Sequence, residues 1–428
     1  MSDSLLKVKI HDLAAGGAGV ARLEDGMVIF VPGAYPGDEA LVRLEKKKKR
    51  HAQASVARIL EKSPNRVDPP CQHAAECGGC QWIGLGYPAQ LEAKRNIVKE
   101  ALKRIGGMDV DVPEVAPCPA PLGYRHRVRL MGVAGEGGFS LAYRRLGSHQ
   151  PAIVSACPVA DPRINRAMEG ITAYLCSMPG LAGVIKEVEI ETDGTRTRTL
   201  LHPKSLIKGK ALEKMVESVD GLEGAVSMLA PAPVEAGEAW LCVNQQGAPD
   251  LWLAPGAFAQ GNLGQNSALA SLAGELSGLS QGESGLDLYC GAGNHSLPLA
   301  AKKVAMSGVD LSPAAIASAE RSRMEAGLSN IQFTREKCLD AVEGFSSSGI
   351  MFDSVILNPP RAGASGVFEK ALALARNRAV YVACDPATLA RDGKLAFKAG
   401  FALSRVEVMD MFPMTSHVET VALFERIS

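Results

Sequence analysis

From residue 5 to about residue 60, apolar and polar side chains alternate in short runs. The segments "LLKVKIHDL", "GMVIFVPGA" and "DEALVRLEK" change character nearly every residue and are separated by Gly, Pro and Asp. That period of two predicts strands joined by tight turns. Several such strands in so short a stretch predict a small OB-like β-barrel over residues 1–62, a platform that recurs in nucleic-acid binding. "AAGGAGVAR" has the glycines of a phosphate loop but opens no helix, so it predicts a hairpin turn. "SPNRVDPP" then closes the segment with proline.

The pattern changes twice downstream. "YPAQLEAKRNIVKEALKRIGG" has helical spacing and a Gly-Gly stop. Residues 123–260 interleave strand-like runs ("HRVRLMGV", "VIKEVEIETD") with the helical "DPRINRAMEGITAYLCSM", which predicts an α+β middle domain over residues 63–255. From Ser284 onward strand, Gly-rich turn and helix repeat. "SGLDLYCGAGNHSLPLA", "KVAMSGVDLSPAAIASAERSRMEAG", "DSVILNPP" and "AVYVACDP" predict βα units of a parallel, doubly wound sheet over residues 256–428. The chain is therefore predicted to be multidomain α/β, as its 428 residues also require.

Charge and cysteine usage narrow the options. Formal net charge is zero, which excludes a generic polyanion binder and leaves any nucleic-acid affinity to local patches. Residues 1–66 hold twelve Lys/Arg against eight Asp/Glu, densest at "EKKKKRH", and residues 120–150 carry five Arg against one Glu. The start Met-Ser-Asp lacks an apolar signal core, and no run reaches eighteen uninterrupted apolar residues. A cytoplasmic protein with no membrane partner is expected. Ten cysteines in a reducing compartment then predict metal binding, catalysis or burial rather than disulfides.

The last third of the chain carries a nucleotide-type site. In "LDLYCGAGN" a strand runs into Gly-x-Gly, where Gly291 and Gly293 allow a tight bend and close approach to a ligand. Asp310 ends the next strand, placed to accept from ribose hydroxyls. A dinucleotide site would favour G-x-G-x-x-G, whereas Gly293 is followed by "NHS"; with the later Asn-Pro-Pro turn, the set suits S-adenosylmethionine better than NAD. Asn358 in "VILNPPRAG" closes a third strand and offers a donor and an acceptor to a planar base.

Cys384 in "YVACDPATLARD" closes the following strand in the same way, and Glu419 opens the final one. A thiol and a carboxylate beside a methyl donor point to methylation of a pyrimidine at C5. That carbon becomes nucleophilic only after a thiolate adds at C6, and its proton must then be removed by a base. His417, two residues from Glu419, is read as structural rather than as a proton relay, and His295 likewise. Cys71, Cys77 and Cys80 with the remote Cys157 form a metal-type set that fits zinc or an iron–sulfur cluster. The five-residue gap after Cys71 argues against radical chemistry on S-adenosylmethionine. Cys118, Cys176, Cys242, Cys290 and Cys338 are read as packing residues.

Nearly end to end, the chain resembles the bacterial RNA 5-methyluridine methyltransferases, specifically the 23S ribosomal RNA branch. "GGAGVAR", "CQHAAECGGCQW", "PGAFAQGN", "LDLYCGAGN", "NPPRAG", "YVACDPATLARD" and "HVETVALFER" carry the likeness. The resemblance implies a TRAM barrel, a 4Fe–4S middle domain and a Rossmann-like methyltransferase domain, with the helix near residues 88–120 packed on the last. It implies Cys384 as covalent nucleophile and Glu419 as base. Gln260, Tyr289, Gly291, Asn294, Asp310 and Asn358 fall at the S-adenosylmethionine site, and Cys71, Cys77, Cys80 and Cys157 hold the cluster. The partner implied is 23S rRNA, bound by a monomer, since the tRNA-specific branch lacks both barrel and cluster. A tRNA uridine, a cytosine, an exocyclic amine, or a non-catalytic role in RNA assembly are the alternatives. Three departures stand out: Asn358 where the family has Asp, Asp310 where Glu is common, and Asp385 where Asn is frequent. Asp385 is expected to point away from the thiol.

Overall fold

The computed structural model describes residues 5–229 and 233–427. Residues 6–61 form a six-stranded sheet whose first strand, Leu6–Lys9, and second, Asp12–Leu13, lie at opposite ends of the strand order. Only two residues separate them in the chain, so the sheet curls until its edges meet around Val8, Ala21, Ile29, Val31 and Val42. The glycine-rich stretch is a turn, with Ala14 N–H donating to the Ala18 carbonyl. The basic run caps the hairpin between Glu39–Lys47 and His51–Glu61, with Lys46 to Arg50 exposed.

The middle sheet has seven strands, and alternation decides its faces. Val128, Leu130, Val188, Ile190 and Leu201 point toward helices Pro162–Ser177 and Gly209–Ser218 and make one core with them. The intervening residues Arg127, Arg129, Glu187, Glu189, Glu191 and Arg198 fall on the opposite face.

The C-terminal sheet runs in the order Ile331–Arg335, Ala305–Asp310, Ser284–Leu288, Phe352–Leu357, Ala375–Ala383, Glu419–Arg426, Phe401–Met409. Successive residues feed two cores: Val355, Leu357, Tyr381, Ala422 and Phe424 on one side, Ile356, Val380, Val382, Val421 and Leu423 on the other. Both faces are therefore covered, as near-continuous apolar strands require. All the strands run in one direction except Glu419–Arg426, which is antiparallel to both its neighbours, a departure from the all-parallel expectation. Residues 410–418 are too short a link for a crossover helix, so the chain turns back instead.

The helix Tyr87–Ala101, far upstream, contributes Val98 to this C-terminal core, and Leu102 follows it there. Its Lys94, fully buried, binds Asp410 at 2.5 Å and the Phe412 carbonyl at 3.0 Å. Gln90 accepts from Met414 N–H at 2.9 Å and donates to the Trp82 and Leu85 carbonyls. Trp82 in turn donates from its indole to Gly17, which seats the N-terminal sheet. Among the described residues no helix is long and apolar enough to cross a membrane.

Candidate active site

A cleft of about 580 Å³ opens at the carboxyl ends of the parallel strands, within the usual range for ligand pockets. The strand Ser284–Leu288 ends at Tyr289, which takes a left-handed φ of 60° that side chains rarely adopt. Gly291 and Gly293 follow at φ 57° and 86°. A Cβ on Gly293 would come within 2.8 Å of Leu297, so glycine is required there for space as well as for conformation. Asp310 accepts from Gly291 N–H at 3.0 Å and Ser312 N–H at 2.8 Å, which fixes both oxygens while leaving each a free lone pair.

All eight residues named for catalysis and cofactor binding line this one cleft: Gln260, Tyr289, Gly291, Asn294, Asp310, Asn358, Cys384 and Glu419. Asn294 spends most of its amide on the protein. It accepts from Asn266 and Gln245 and donates back to Asn266, so it braces the wall.

Cys384 follows the strand Ala375–Ala383, and Glu419 starts the neighbouring strand, whose register places Ala383 opposite Thr420. Burial, and then the nearby Glu419, raise the Cys384 thiol above its ordinary range, while Arg361 opposes them. Glu419 is 2% exposed, and burial pushes it up to about 8 against the pull of Arg361. Asp385 caps the helix Pro386–Lys398 by accepting from Ala387 N–H at 2.8 Å. That bond directs it into its own helix, as expected.

Three cleft residues were undervalued by the sequence. Arg361 is the cation that opposes both raised groups, and it lies 3.5 Å from His417 Nε2. His417 is lowered to about 4, first by burial and then by Arg361, so it is neutral. His295 is almost fully buried, is also lowered to about 4 by burial, and contacts Asn358 at 3.3 Å. The available signal was position: each polar residue directly adjoins a motif already recognised.

The arginines of residues 120–150 are in good part paired with carboxylates of the protein. Arg127 pairs with Glu189 and Glu191, Arg129 with Glu187, and Arg145 with Glu76. Arg125 lies beside the Tyr124 and Phe412 rings. Much of its charge is spent internally.

Cys71, Cys77, Cys80 and Cys157 line one small cavity. Among the described residues no three His, Cys, Asp or Glu side chains close to the spacing of a single metal ion. A tetrahedral zinc with 2.3 Å bonds would need sulfurs about 3.8 Å apart, whereas a four-iron cluster spreads its thiolates wider. Burial pushes Cys80 up to about 12 and also raises Cys77. Gly79 N–H donates to Cys77 Sγ at 3.4 Å, the kind of contact a bound thiolate would strengthen. Four thiols around one cavity are the donor type that an iron–sulfur cluster takes. A wider groove of about 910 Å³ lies beside it and includes Gly17, Lys62, Arg66 and Gln72, but neither Cys384 nor Glu419.

A glycine turn, Asp310, Cys384 and the buried Glu419 meeting in one cleft match the arrangement expected of an S-adenosylmethionine-dependent RNA uracil-C5 methyltransferase. Residues 252–427 match the family described as tRNA (Uracil-5-)-methyltransferase, and residues 4–57 match the TRAM domain. The chain belongs to the RNA uracil-C5 methyltransferase family. It is 35% identical to 23S rRNA (uracil(1939)-C(5))-methyltransferase RlmD of Salmonella paratyphi A, over 99% of this chain and 96% of that protein. The protein of the same name from Salmonella choleraesuis is 34% identical with the same coverage. Among solved structures, Pyrococcus abyssi tRNA (uracil-54, C5)-methyltransferase in complex with S-adenosyl-L-homocysteine shares the fold. The TM-score is 0.76 and identity 24%, over 98% of this chain and all of that one. A tRNA enzyme thus shares the fold over nearly the whole chain. Overall architecture by itself does not separate the rRNA branch from the tRNA branch, contrary to the expectation above.

Proposed function

We propose that the chain methylates C5 of a uridine in 23S rRNA, in the cytoplasm, through a covalent Cys384–C6 adduct. The observation that carries this reading is Cys384 and Glu419 facing one cleft with Gly291 and Asp310. Full-length similarity to proteins named as 23S rRNA enzymes supports 23S rRNA over tRNA as target. Gln260, Tyr289, Gly291 and Asp310 would hold S-adenosylmethionine, which when bound supplies the electrophilic methyl group.

The Cys384 thiolate adds to C6, and the C5=C6 electron pair moves to the O4 enolate. C5 then takes the methyl group. Glu419 removes the C5 proton, the double bond re-forms, and the thiolate leaves. Arg361 favours the anionic form of both groups. Cys71, Cys77, Cys80 and Cys157 would hold a 4Fe–4S cluster, which when bound would supply a cross-link between the loop of residues 71–80 and the segment after Ile153. An exocyclic-amine target would need no cysteine in the cleft.

The test is to map 5-methyluridine in rRNA and tRNA from cells with and without the gene, and to assay Cys384→Ala on unmodified 23S rRNA. Loss of a single rRNA 5-methyluridine and an inactive Cys384→Ala are expected. A tRNA site, or an active Cys384→Ala, overturns the corresponding part.

A further inference from the structure

We propose that His295 is a positioning residue: it occupies the donor end of the Asn358 carboxamide and so turns Oδ1, an uncharged acceptor, toward N3–H of a uracil in the cleft. The inference rests on the uracil-methylation reading above and adds the origin of base selectivity to it.

Asn358 emerges from the strand Phe352–Leu357 into the cleft beside Cys384 and Glu419. His295 comes from the glycine turn, at the start of the short helix Ser296–Ala301. Asn358 Nδ2 lies 3.3 Å from His295 Nε2. An amide nitrogen only donates, so Nε2 accepts and the ring proton resides on Nδ1. His295 can play this part because it is neutral, burial having lowered it to about 4; an imidazolium has two donors and no acceptor. His295 Nδ1 is buried without a partner, so the contact with Asn358 is the one hydrogen bond its ring makes among the described residues.

An unconstrained asparagine can present either end to a base. Presenting N–H would suit N3 of cytosine or O4 of uracil. Presenting Oδ1 suits the N3–H of uracil and repels the N3 lone pair of cytosine. With its donor end occupied, Asn358 offers the kind of acceptor that the aspartate usual in the family would offer, without the charge. His295 thereby resolves the ambiguity that asparagine introduces.

The experiment has two arms. In the first, 15N NMR of the uniformly labelled full-length protein reports which nitrogen of His295 carries the proton, assigned by its loss in His295→Leu. Nδ1–H is expected, and Nε2–H overturns the proposal. In the second, kcat/KM is measured on in vitro transcribed 23S rRNA for His295→Leu and His295→Gln. A roughly tenfold fall, mainly in KM, is expected for Leu. Gln, whose Oε1 can accept from Asn358, should recover most of it, and S-adenosylmethionine affinity by calorimetry should not change. An unaltered kcat/KM in Leu, no rescue by Gln, or weakened cofactor binding sinks the assignment. An active Cys384→Ala would instead refute the methylation chemistry and leave the tautomer result standing.

Discussion

The middle sheet and the methyltransferase cleft both bury ionisable side chains, and they differ in whether an opposite charge is paired with them; burial raises Glu191 as it does Glu419. On the middle sheet Glu191 meets Arg198 at 2.7 Å and Arg127 at 3.2 Å. Arg198 also donates to the carbonyls of Ala239, Leu253 and Ala254. Burial pushes Glu189 up, but His202 and Arg127 more than compensate and hold it down to about 2. In the cleft, Glu419, His295 and His417 form no ion pair with an opposite charge, and burial drives each toward its neutral form. The paired groups fasten strands and the linker of residues 239–254 together. The unpaired ones all line the cleft.

Glu419→Gln should break this contrast most visibly. Turnover should fall by about 10²–10⁴, as for loss of a general base, with a covalent protein–RNA adduct accumulating on denaturing gels. Stability should move the other way. The folded pKa, about 8, lies above the unfolded carboxyl value, so the native state holds an extra proton between pH ~4.5 and about 8. The stability linked to that proton is fully present at low pH and is lost as pH rises through 8. At pH 9 the Gln variant should therefore be more stable than the parent, by on the order of a few kcal/mol, with melting curves converging near pH 4. A less stable variant at pH 9 would contradict an unpaired, buried carboxylate.

Arg198→Met tests the other side. It strands Glu191 and should cost about 3–5 kcal/mol in denaturant unfolding of the middle sheet. A neutral outcome would mean the pairing contributes little. A smaller effect concerns pH. Both Cys384 and Glu419 must be deprotonated to act, so kcat/KM should climb between pH 7 and 9. Arg361→Ala removes the cation that favours both anions, and should move that climb to higher pH. Replacing Lys46 to Arg50 with Glu addresses charges that are neither buried nor paired. Stability should change by less than about 0.5 kcal/mol, while RNA affinity falls and its salt dependence becomes shallower.

Much of the cleft was legible in the chain because each of its parts ends a strand. Asn358 and Cys384 close successive apolar runs, and a parallel sheet brings such ends to one edge. The basic hairpin at Lys46 to Arg50 was equally legible, since its exposure follows from local alternation and a turn. Pairing between distant residues was not. The arginines of residues 120–150 looked like a patch because a count of charge cannot see Glu187, Glu189 and Glu191 on the next strand. Nor does local spacing reveal that Lys94 will neutralise Asp410, 316 residues away. The role of His295 depended on Asn358, which meets it only through the fold.

The position of the final strand has a consequence for how the protein is made. Glu419–Arg426 does not add to the edge of the sheet; it slots between Ala375–Ala383 and Phe401–Met409. At roughly 5–20 residues per second of translation, Lys94 leaves the ribosome some 15–60 s before its carboxylate partner. Until the last strand follows, the sheet has a gap where it belongs, an open edge beside Cys384, and no Glu419 in the cleft. Emergence of this strand is thus the step that closes the sheet.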